Sequence, residues 1–523
     1  MTKISVYQIL YMMSKRTILS SFIALFITIS LQAQEQKNEH YTLVTYNVEN
    51  LFDADGKAVF DDYSPKNDNG EPWYTTADVN TKIQNIIKTL KRVDDGNGPD
   101  IIVFSELESD FTPVADRDSI NYEKLLSAYE NSTLSDMLLT SPTDAIKDLP
   151  SEALLLKGTK DAGLKNYHIK VGFSKLRPNG EPDNVQKNVV FSRFPFFEGK
   201  TQRHPLENAR PILETWIDVE GDTLVVFANH WKSGASSAEL EETRKQNATV
   251  LRNRLDELEE MNSDLDIVVA GDLNSNYNQY QTVQQVDRNG INHILLAGGS
   301  EKKVATEEDP RELYNLWYEL PVDKRGSEVY RGKLSAIMHA IINSNMYDAK
   351  GLQYVDQSFE VMAYEGLNAY SINGSPKRWS SNSVGSGFSD HFPLLFSFTK
   401  ADGPIDITHY GTPNEPDWTA PEPKLEKEKI KSLPRLKDLN GIDFSTDTKY
   451  YNDYVLVDQP INSRGYIPFS GYDFLVFSFD YDVKKKIGDI KGTGKPLRFV
   501  GKLILYRNIW EFVIESPEYI LED

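Results

Sequence analysis

Seven side chains have types and placements that could do chemistry together: Asn47, Glu106, His230, Asp272, Asn274, Asp390 and His391. They fall in five short polar motifs, Tyr46-Asn47-Val48-Glu49-Asn50, Ser105-Glu106-Leu107-Glu108, Asn229-His230-Trp231-Lys232, Gly271-Asp272-Leu273-Asn274 and Ser389-Asp390-His391. Mg²⁺ takes only one or two protein carboxylates and keeps waters for a phosphate. Glu106 with the amide oxygen of Asn47 suits such a sparse site. Residues two apart on a strand face the same way, so Asp272 and Asn274 aim at one point. Asp272 could activate a water or protonate a leaving oxygen, and Asn274 could hold a phosphoryl oxygen as charge develops. A cationic imidazole at His230 or His391 would stabilise that charge as well. Each motif also has a plainer reading. Asn47 and the Gly-Asp-Leu-Asn stretch suit turns, Glu106 a strand-end cap, the histidines a structural role, and Lys232 a solvated surface.

The elements that must position these groups are legible as alternating strands and helices. Leu43–Tyr46 alternates apolar and polar residues, and continuous apolar runs occur at Ile101–Phe104, Leu224–Phe227, Ile267–Ala270 and Phe392–Phe396. Runs this short and β-branched fit strands covered on both faces. Asp78 is a candidate cap for a helix with Val79, Ile83, Ile86, Ile87 and Leu90 on one face. Glu239 to Glu260 reads as a second helix. Such alternation argues for an α/β sandwich with helices outside the sheets, over residues 41–399. Residues 55–77 read as a surface loop. A proline-rich stretch without periodicity makes 400–435 a semi-stiff linker. From 436 to 523 the chain is aromatic and β-rich, a small all-β domain.

Bulk properties narrow the chemistry. There is no cysteine, which excludes disulfides, thiolate metal sites and cysteine nucleophiles. The net charge is −21, and it grows more negative once the three cations of residues 1–33 are removed. Such a chain gains nothing from long-range attraction to a polyanion. Lys15 and Arg16 precede an apolar run, Ile18–Leu31, and Leu31-Gln32-Ala33 ends on a small residue. That pattern reads as a secretory signal peptide cleaved after Ala33, with a membrane anchor as the competing reading. The run falls short of the roughly 20 residues that span a bilayer. The mature chain is expected to be secreted or periplasmic, without stable membrane insertion.

As an ordered set, the five motifs resemble those of the endonuclease/exonuclease/phosphatase superfamily, and Tyr46–Asp53 resembles the opening motif of its secreted bacterial branch. The resemblance implies a four-layered α/β sandwich of the deoxyribonuclease-like type and Mg²⁺- or Mn²⁺-dependent hydrolysis of phosphoesters. It makes Asn47, Glu106 and Asp390 metal-site residues, and it makes His230, Asp272, Asn274 and His391 catalytic. One departure stands out. Relatives place an Asp behind the final His, after a Tyr-Arg-Gly-like segment; here Tyr330-Arg331-Gly332 is followed by Met338 at that place. Losing such a carboxylate in another hydrolase costs about 10⁴ in rate. His339 does not compensate, because neighbours on a strand face opposite ways. The stretch Val500–Ile520 is similar to the end of bacterial OB-fold modules, which can stack single-stranded bases. A structural β module with a solvated basic loop at Lys484, Lys485 and Lys486 is the alternative.

The expectation is thus a secreted metal-dependent phosphoesterase acting on DNA or RNA. The alternatives are a phospholipid or small-molecule phosphodiesterase of the same fold, and a catalytically weakened binding protein, which Met338 favours.

Overall fold

In the computed structural model, the described residues run from 40 to 521, apart from 57–73, 110–119, 174–176, 179–182, 207–208, 236, 284, 307–308, 371–373, 380–386, 404–424, 426, 445, 448 and 507–508. The expected signal peptide, most of the 55–77 loop and most of the proline-rich linker lie outside them. Residues 42–523 form one compact unit.

Two seven-stranded sheets dominate this unit. The first contains β1 (Tyr41–Leu51), β2 (Ile101–Glu108), β3 (His168–Val171), β4 (Gln186–Ser192), β14 (Leu352–Tyr354), β15 (Glu360–Val361) and β16 (Leu394–Lys400). Its order is β14-β16-β1-β2-β4-β3, with β15 beside β16. The second contains β5 (Gln202–Leu206), β6 (Ala209–Val219), β7 (Asp222–His230), β8 (Asp266–Asp272), β9 (Ala297–Gly298), β10 (Leu313–Asn315) and β13 (Met338–Ile342). Its order is β5-β6-β7-β8-β13-β10-β9.

The sheets face each other, β2 and β4 lying against β6, β7 and β8. Asn188 Nδ2 of β4 donates across the gap to the carbonyls of Pro211 and Ala228, at 3.3 Å each. Helices close both outer faces. On the first sheet, α1 (Thr76–Leu90) and α2 (Ser151–Asp161) bury Val79, Ile83, Ile86, Leu154 and Leu155 against Ile102 and Phe104. On the second, α3 (Ala238–Met261) buries Leu251, Leu255 and Leu258 against Val225, Phe227, Ile267 and Val269. Each fully buried aliphatic side chain contributes about 1.5–3 kcal/mol, so these stripes hold the outer layers on. The result is the four-layered α/β sandwich of the deoxyribonuclease type.

Two local expectations are corrected. Thr75, not Asp78, caps α1; its hydroxyl accepts from the Asp78 N–H while Asp78 Oδ2 accepts the Thr75 N–H, a reciprocal capping box. The last strand of the first sheet starts at Leu394 and not at Phe392, because Pro393 has no N–H to give a ladder.

Beyond the sandwich a third, five-stranded sheet forms a small β domain with its own core of Leu439, Phe444, Val455, Phe474, Phe499 and Phe512, among others. Its strands are β17 (Tyr454–Pro460), β18 (Tyr466–Phe469), β19 (Tyr472–Ser478), β20 (Pro496–Tyr506) and β21 (Ile509–Ile514), in the order β17-β20-β21-β19-β18. Lys484, Lys485 and Lys486, expected on a loop, lie on the helix α4 (Tyr481–Ile490), capped by the Asp480 carboxylate. A two-stranded hairpin of β11 (Glu328–Tyr330) and β12 (Lys333–Ser335) stands apart from these sheets. Among the described residues, no helix is long and apolar enough to cross a membrane.

Candidate active site

The register of the second sheet sets one wall of the site. Parallel pairing of β7 with β8 puts His230 beside Asp272, and antiparallel pairing of β8 with β13 puts Met338 on the other side of Asp272. His230, Asp272 and Met338 therefore occupy one row across three strands. The close approach of β7 and β8 depends on Gly271, at φ +127°, where a Cβ would lie 2.1 Å from Asn229 O. No other residue fits there.

The first sheet supplies the opposite wall through local irregularity. Glu106 lies inside β2 with φ +66°, and Glu49 and Asn50 of β1 have φ +49° and +62°. Pairing of β1 with β2 slips between Asn47 and Leu51, and pairing of β2 with β4 slips between Phe104 and Leu107. Backbone held in this region costs about 1–3 kcal/mol per residue and concentrates at functional sites. Here it turns Asn47 and Glu106 toward the second sheet. Asn47 Nδ2 donates to Glu106 Oε1 and to Asp272 Oδ2, both at 3.0 Å, so one amide bridges the two sheets. Its Oδ1 accepts the Glu49 N–H at 3.0 Å. With the amide in this orientation, nitrogen and not oxygen faces the carboxylates; ligation through Asn47 oxygen would need the amide to turn over.

The remaining expected residues converge here. His230 Nε2 lies 3.7 Å from Glu106 Oε1 and 3.9 Å from Asp272 Oδ2. His391 Nε2 lies 3.8 Å from Asp272 Oδ2 and 3.6 Å from Asp390 Oδ1. Ser389 Oγ donates to Asn47 O at 2.7 Å and accepts the His391 N–H at 3.1 Å, which ties the last motif to the first. Asn274 is placed differently from the strand argument. β8 stops at Asp272, and Asn274 follows in a turn with φ +50°. Its N–H donates to Asp272 Oδ1 at 2.8 Å and its Nδ2 to Trp231 O at 3.3 Å.

Glu106, His230 and Asp272 form a group able to hold a cation, their ligating atoms all lying within 4.8 Å of one another. This differs from the expected set of Asn47, Glu106 and Asp390. Asp390 Oδ2 instead meets Arg378 at 3.2 Å. Electrostatics favour a cation at the first group. Burial raises the carboxyls of both Glu106 and Asp272, with the charge of Asp390 adding to the effect on Glu106. Burial and Asp390 likewise push Glu49 up to about 7. Burial holds His230 well below the usual imidazole range, so it is neutral and able to ligate. The buried Nδ1 of His230, Nδ1 of His391 and Oδ1 of Asp390 have no hydrogen-bond partner among the described residues. Buried polar atoms left without a partner on residues beside crowded carboxylates fit a missing polar ligand. His391 takes the opposite state. Burial alone would lower it, but Asp390, Asp272, Glu328 and Glu106 outweigh burial and raise it to about 9.

Several residues here carried no expectation. Arg378 Nη2 pairs with Glu49 Oε1 at 3.1 Å as well as with Asp390, and Trp379 N–H donates to Glu49 Oε2 at 2.6 Å. Lys82 is fully buried on α1 with its ammonium 4.5 Å from the Trp379 ring centroid. Burial pulls that ammonium down to about 7 against the charges of Glu49, Asp390 and Glu106. Arg210 donates to Trp231 O at 3.2 Å and its charge reaches Glu106, His230 and Asp272. Lys82 had a readable signal, a lysine one turn from Val79 on the apolar face of a helix. Arg378 and Arg210 had none.

Residues 193–400 match the model of the Endonuclease/Exonuclease/phosphatase family. The matched segment holds His230, Asp272, Asn274, Asp390 and His391, while Asn47 and Glu106 come from the chain before it. No curated protein matches. Among solved structures, the chain is similar to an endonuclease/exonuclease/phosphatase from Beutenbergia cavernae, at 15% identity and a TM-score of 0.38, covering 70% of this chain and 73% of that one. A family protein from Leptotrichia buccalis is similar at 13% identity and TM-score 0.38, covering 68% and 98%. TDP2 of D. rerio, solved with a single-strand DNA product, is similar at 11% and 0.35, covering 69% and 100%.

Proposed function

We propose that this protein is a secreted, divalent-metal-dependent phosphodiesterase, and that its substrate is DNA or RNA. The observation that carries the reading is the convergence of Glu106, His230 and Asp272 across two sheets, bridged by Asn47 and faced by a cationic His391. Glu106 and neutral His230 would hold the cation, and a bound Mg²⁺ or Mn²⁺ would supply positive charge to a phosphate oxygen. The chain's own groups do the rest. Asp272, whose Oδ2 lies 3.9 Å from His230 Nε2 and 3.8 Å from His391 Nε2, takes the proton of the attacking water. The water oxygen bonds to phosphorus as the bond to the leaving oxygen breaks. His391, protonated at neutral pH, meets the negative charge that develops on that oxygen. Arg210 flanks the same space. Export rests on the apolar Ile18–Leu31 run behind Lys15 and Arg16.

The test is turnover by residues 34–523 of plasmid, single-stranded DNA, RNA, sphingomyelin and bis(p-nitrophenyl) phosphate, with Mg²⁺, Mn²⁺ or a chelator. Turnover of a nucleic acid is expected only with metal, with Glu106→Gln and His391→Gln each losing at least about a hundredfold. Cleavage of sphingomyelin alone would transfer the substrate to a phospholipid. No turnover of any substrate with any metal would sink the enzyme reading.

A further inference from the structure

The C-terminal sheet has a covered outer face. Phe474, Leu503, Phe512 and Ile514 point into the small core. Side chains alternate along a strand, so Leu475, Glu511 and Ile504, paired across β19, β21 and β20, form a row on the opposite face. Phe477, Val513 and Tyr506 share that face. A sheet with one side on its core ordinarily turns such positions to water. Here Glu511 and Ile504 are 0% exposed and Val513 is 1% exposed.

What covers them is the hairpin of β11 and β12. Its root belongs to the sandwich. The Ser327 N–H donates to Ser335 O at 3.0 Å, Ser327 O accepts the Phe392 N–H at 2.6 Å, and Ser327 Oγ accepts the Met338 N–H at 3.2 Å. Its tip enters the C-terminal sheet. Arg331 and Gly332, at φ +49° and +75°, make a two-residue turn between Tyr330 and Lys333. Such turns favour Asn-Gly or Gly-Gly, so an arginine in the left-handed position is kept for its side chain. Arg331 Nη1 donates to both oxygens of Glu511, at 2.6 and 2.7 Å. The guanidinium carbon sits 3.9 Å from the Phe477 ring centroid and 4.9 Å from that of Tyr506. The Tyr330 ring meets those of Phe479 and Tyr506 edge-on, at 5.7 and 5.5 Å between centroids. A Cβ on Gly332 would strike the Ile504 side chain at 2.4 Å, so the turn glycine is a point of close approach.

Phe477, Phe479 and Tyr506 are the rings on which bases would stack on this face, and the Lys484 ammonium lies 5.7 Å from the Phe477 centroid. The hairpin already engages all three rings. We propose that this face is the receptor for hairpin 328–335, so that the C-terminal domain clamps the sandwich and binds no nucleic-acid strand there. The match is chemical as well as steric. A guanidinium can bond both oxygens of a buried carboxylate while its faces lie against rings, which an ammonium cannot do. Removing either member of the pair strands the other away from water. The clamp is independent of the reaction that the sandwich catalyses.

The test uses the full chain with a specific protease site inserted after Pro413, in the proline-rich linker. Once cut there, the two parts are joined by non-covalent contacts alone, and they are expected to co-elute in gel filtration at micromolar concentration. Arg331→Met should weaken their association at least about a hundredfold, and Arg331→Met/Glu511→Gln should recover about tenfold, because no buried carboxylate is then stranded. Circular dichroism before cutting checks that each variant is folded. Should Arg331→Met not fold, Tyr506→Ala removes a ring from the same contact and should weaken association at least about fivefold. In the uncut chain, with a chelator present, anisotropy of a labelled oligothymidylate reads strand binding. Phe477→Ala and Tyr506→Ala should each leave any such binding within about twofold of wild type, whereas a stacking platform loses at least about fivefold per ring. Three results overturn the proposal: wild-type parts that separate on cutting, a folded Arg331→Met whose parts hold as firmly as wild type, or a ring variant that loses fivefold or more in oligonucleotide affinity.

Discussion

Asp266, at the start of β8, is buried and accepts the Leu352 N–H at 2.8 Å on Oδ2. Burial pushes its carboxyl up to about 8, and the nearby acids Asp348, Asp222 and Asp264 add to this. An unfolded aspartate titrates near about 3.9. The folded state therefore favours the protonated form. This group's stabilisation is complete below about pH 4 and is lost as pH rises toward about 8. Asp266→Asn keeps an acceptor for Leu352 and cannot ionise, so its thermal midpoint should gain on wild type by a few degrees between about pH 5 and about pH 8. A constant gap across that range would refute the account. At this scale the sequence showed the seven expected side chains but not their partners. Asn47 was legible as a polar strand-end residue, whereas its donation to Asp272, 225 positions away, is a property of two sheets meeting. Glu328 and Arg378 were silent because nothing in Ser327–Tyr330 or Lys377–Trp379 distinguishes them from ordinary loop charges until the chain is folded.

Helices and strands were easier to read than the contacts that fix their ends. The expected helix 239–260 is α3, and its charged outer face was legible from its period. Less visible was its inner pair: Arg244 Nε donates to Glu241 Oε2 at 2.7 Å, with both side chains no more than 1% exposed. Arg244 also donates to the carbonyls of Lys232, Gly234 and Ser237, and Glu241 Oε1 accepts the Gly290 N–H at 2.9 Å. One buried ion pair thus braces the turn that follows His230. Arg244→Met should destabilise the protein by about 3–5 kcal/mol, because it strands a buried carboxylate, and Arg244→Met/Glu241→Gln should recover part of that loss. Urea unfolding measures both; a loss below about 1 kcal/mol for the single variant would mean the pair is not what holds the turn. Periodicity found α3 because an amphipathic stripe repeats, and it missed the pair because Glu241 and Arg244 look like two more members of a charged face.

On the scale of the whole molecule, a net charge of −21 sets how a polyanion would approach. A basic nuclease loses affinity steeply with salt as counterions are released. This protein should not. Its kcat/KM on a single-stranded oligonucleotide, referred to that on bis(p-nitrophenyl) phosphate, should fall less than about threefold between about 20 and about 150 mM salt. A steep fall would locate binding on a local basic surface such as Lys484, Lys485 and Lys486 of α4.

The plug of Arg331 in the C-terminal sheet also bears on descent. Sequence composition reads 400–435 as a linker, which on its own would leave the parts on either side free to be exchanged. The Arg331 guanidinium, which donates from Nη1 to both oxygens of the fully buried Glu511 at 2.6 and 2.7 Å, removes that freedom. A homologue that trades its C-terminal part for another must lose or rehouse the arginine at the tip of the hairpin, and one that keeps the arginine must keep an acid to receive it. The two halves are bound to change together.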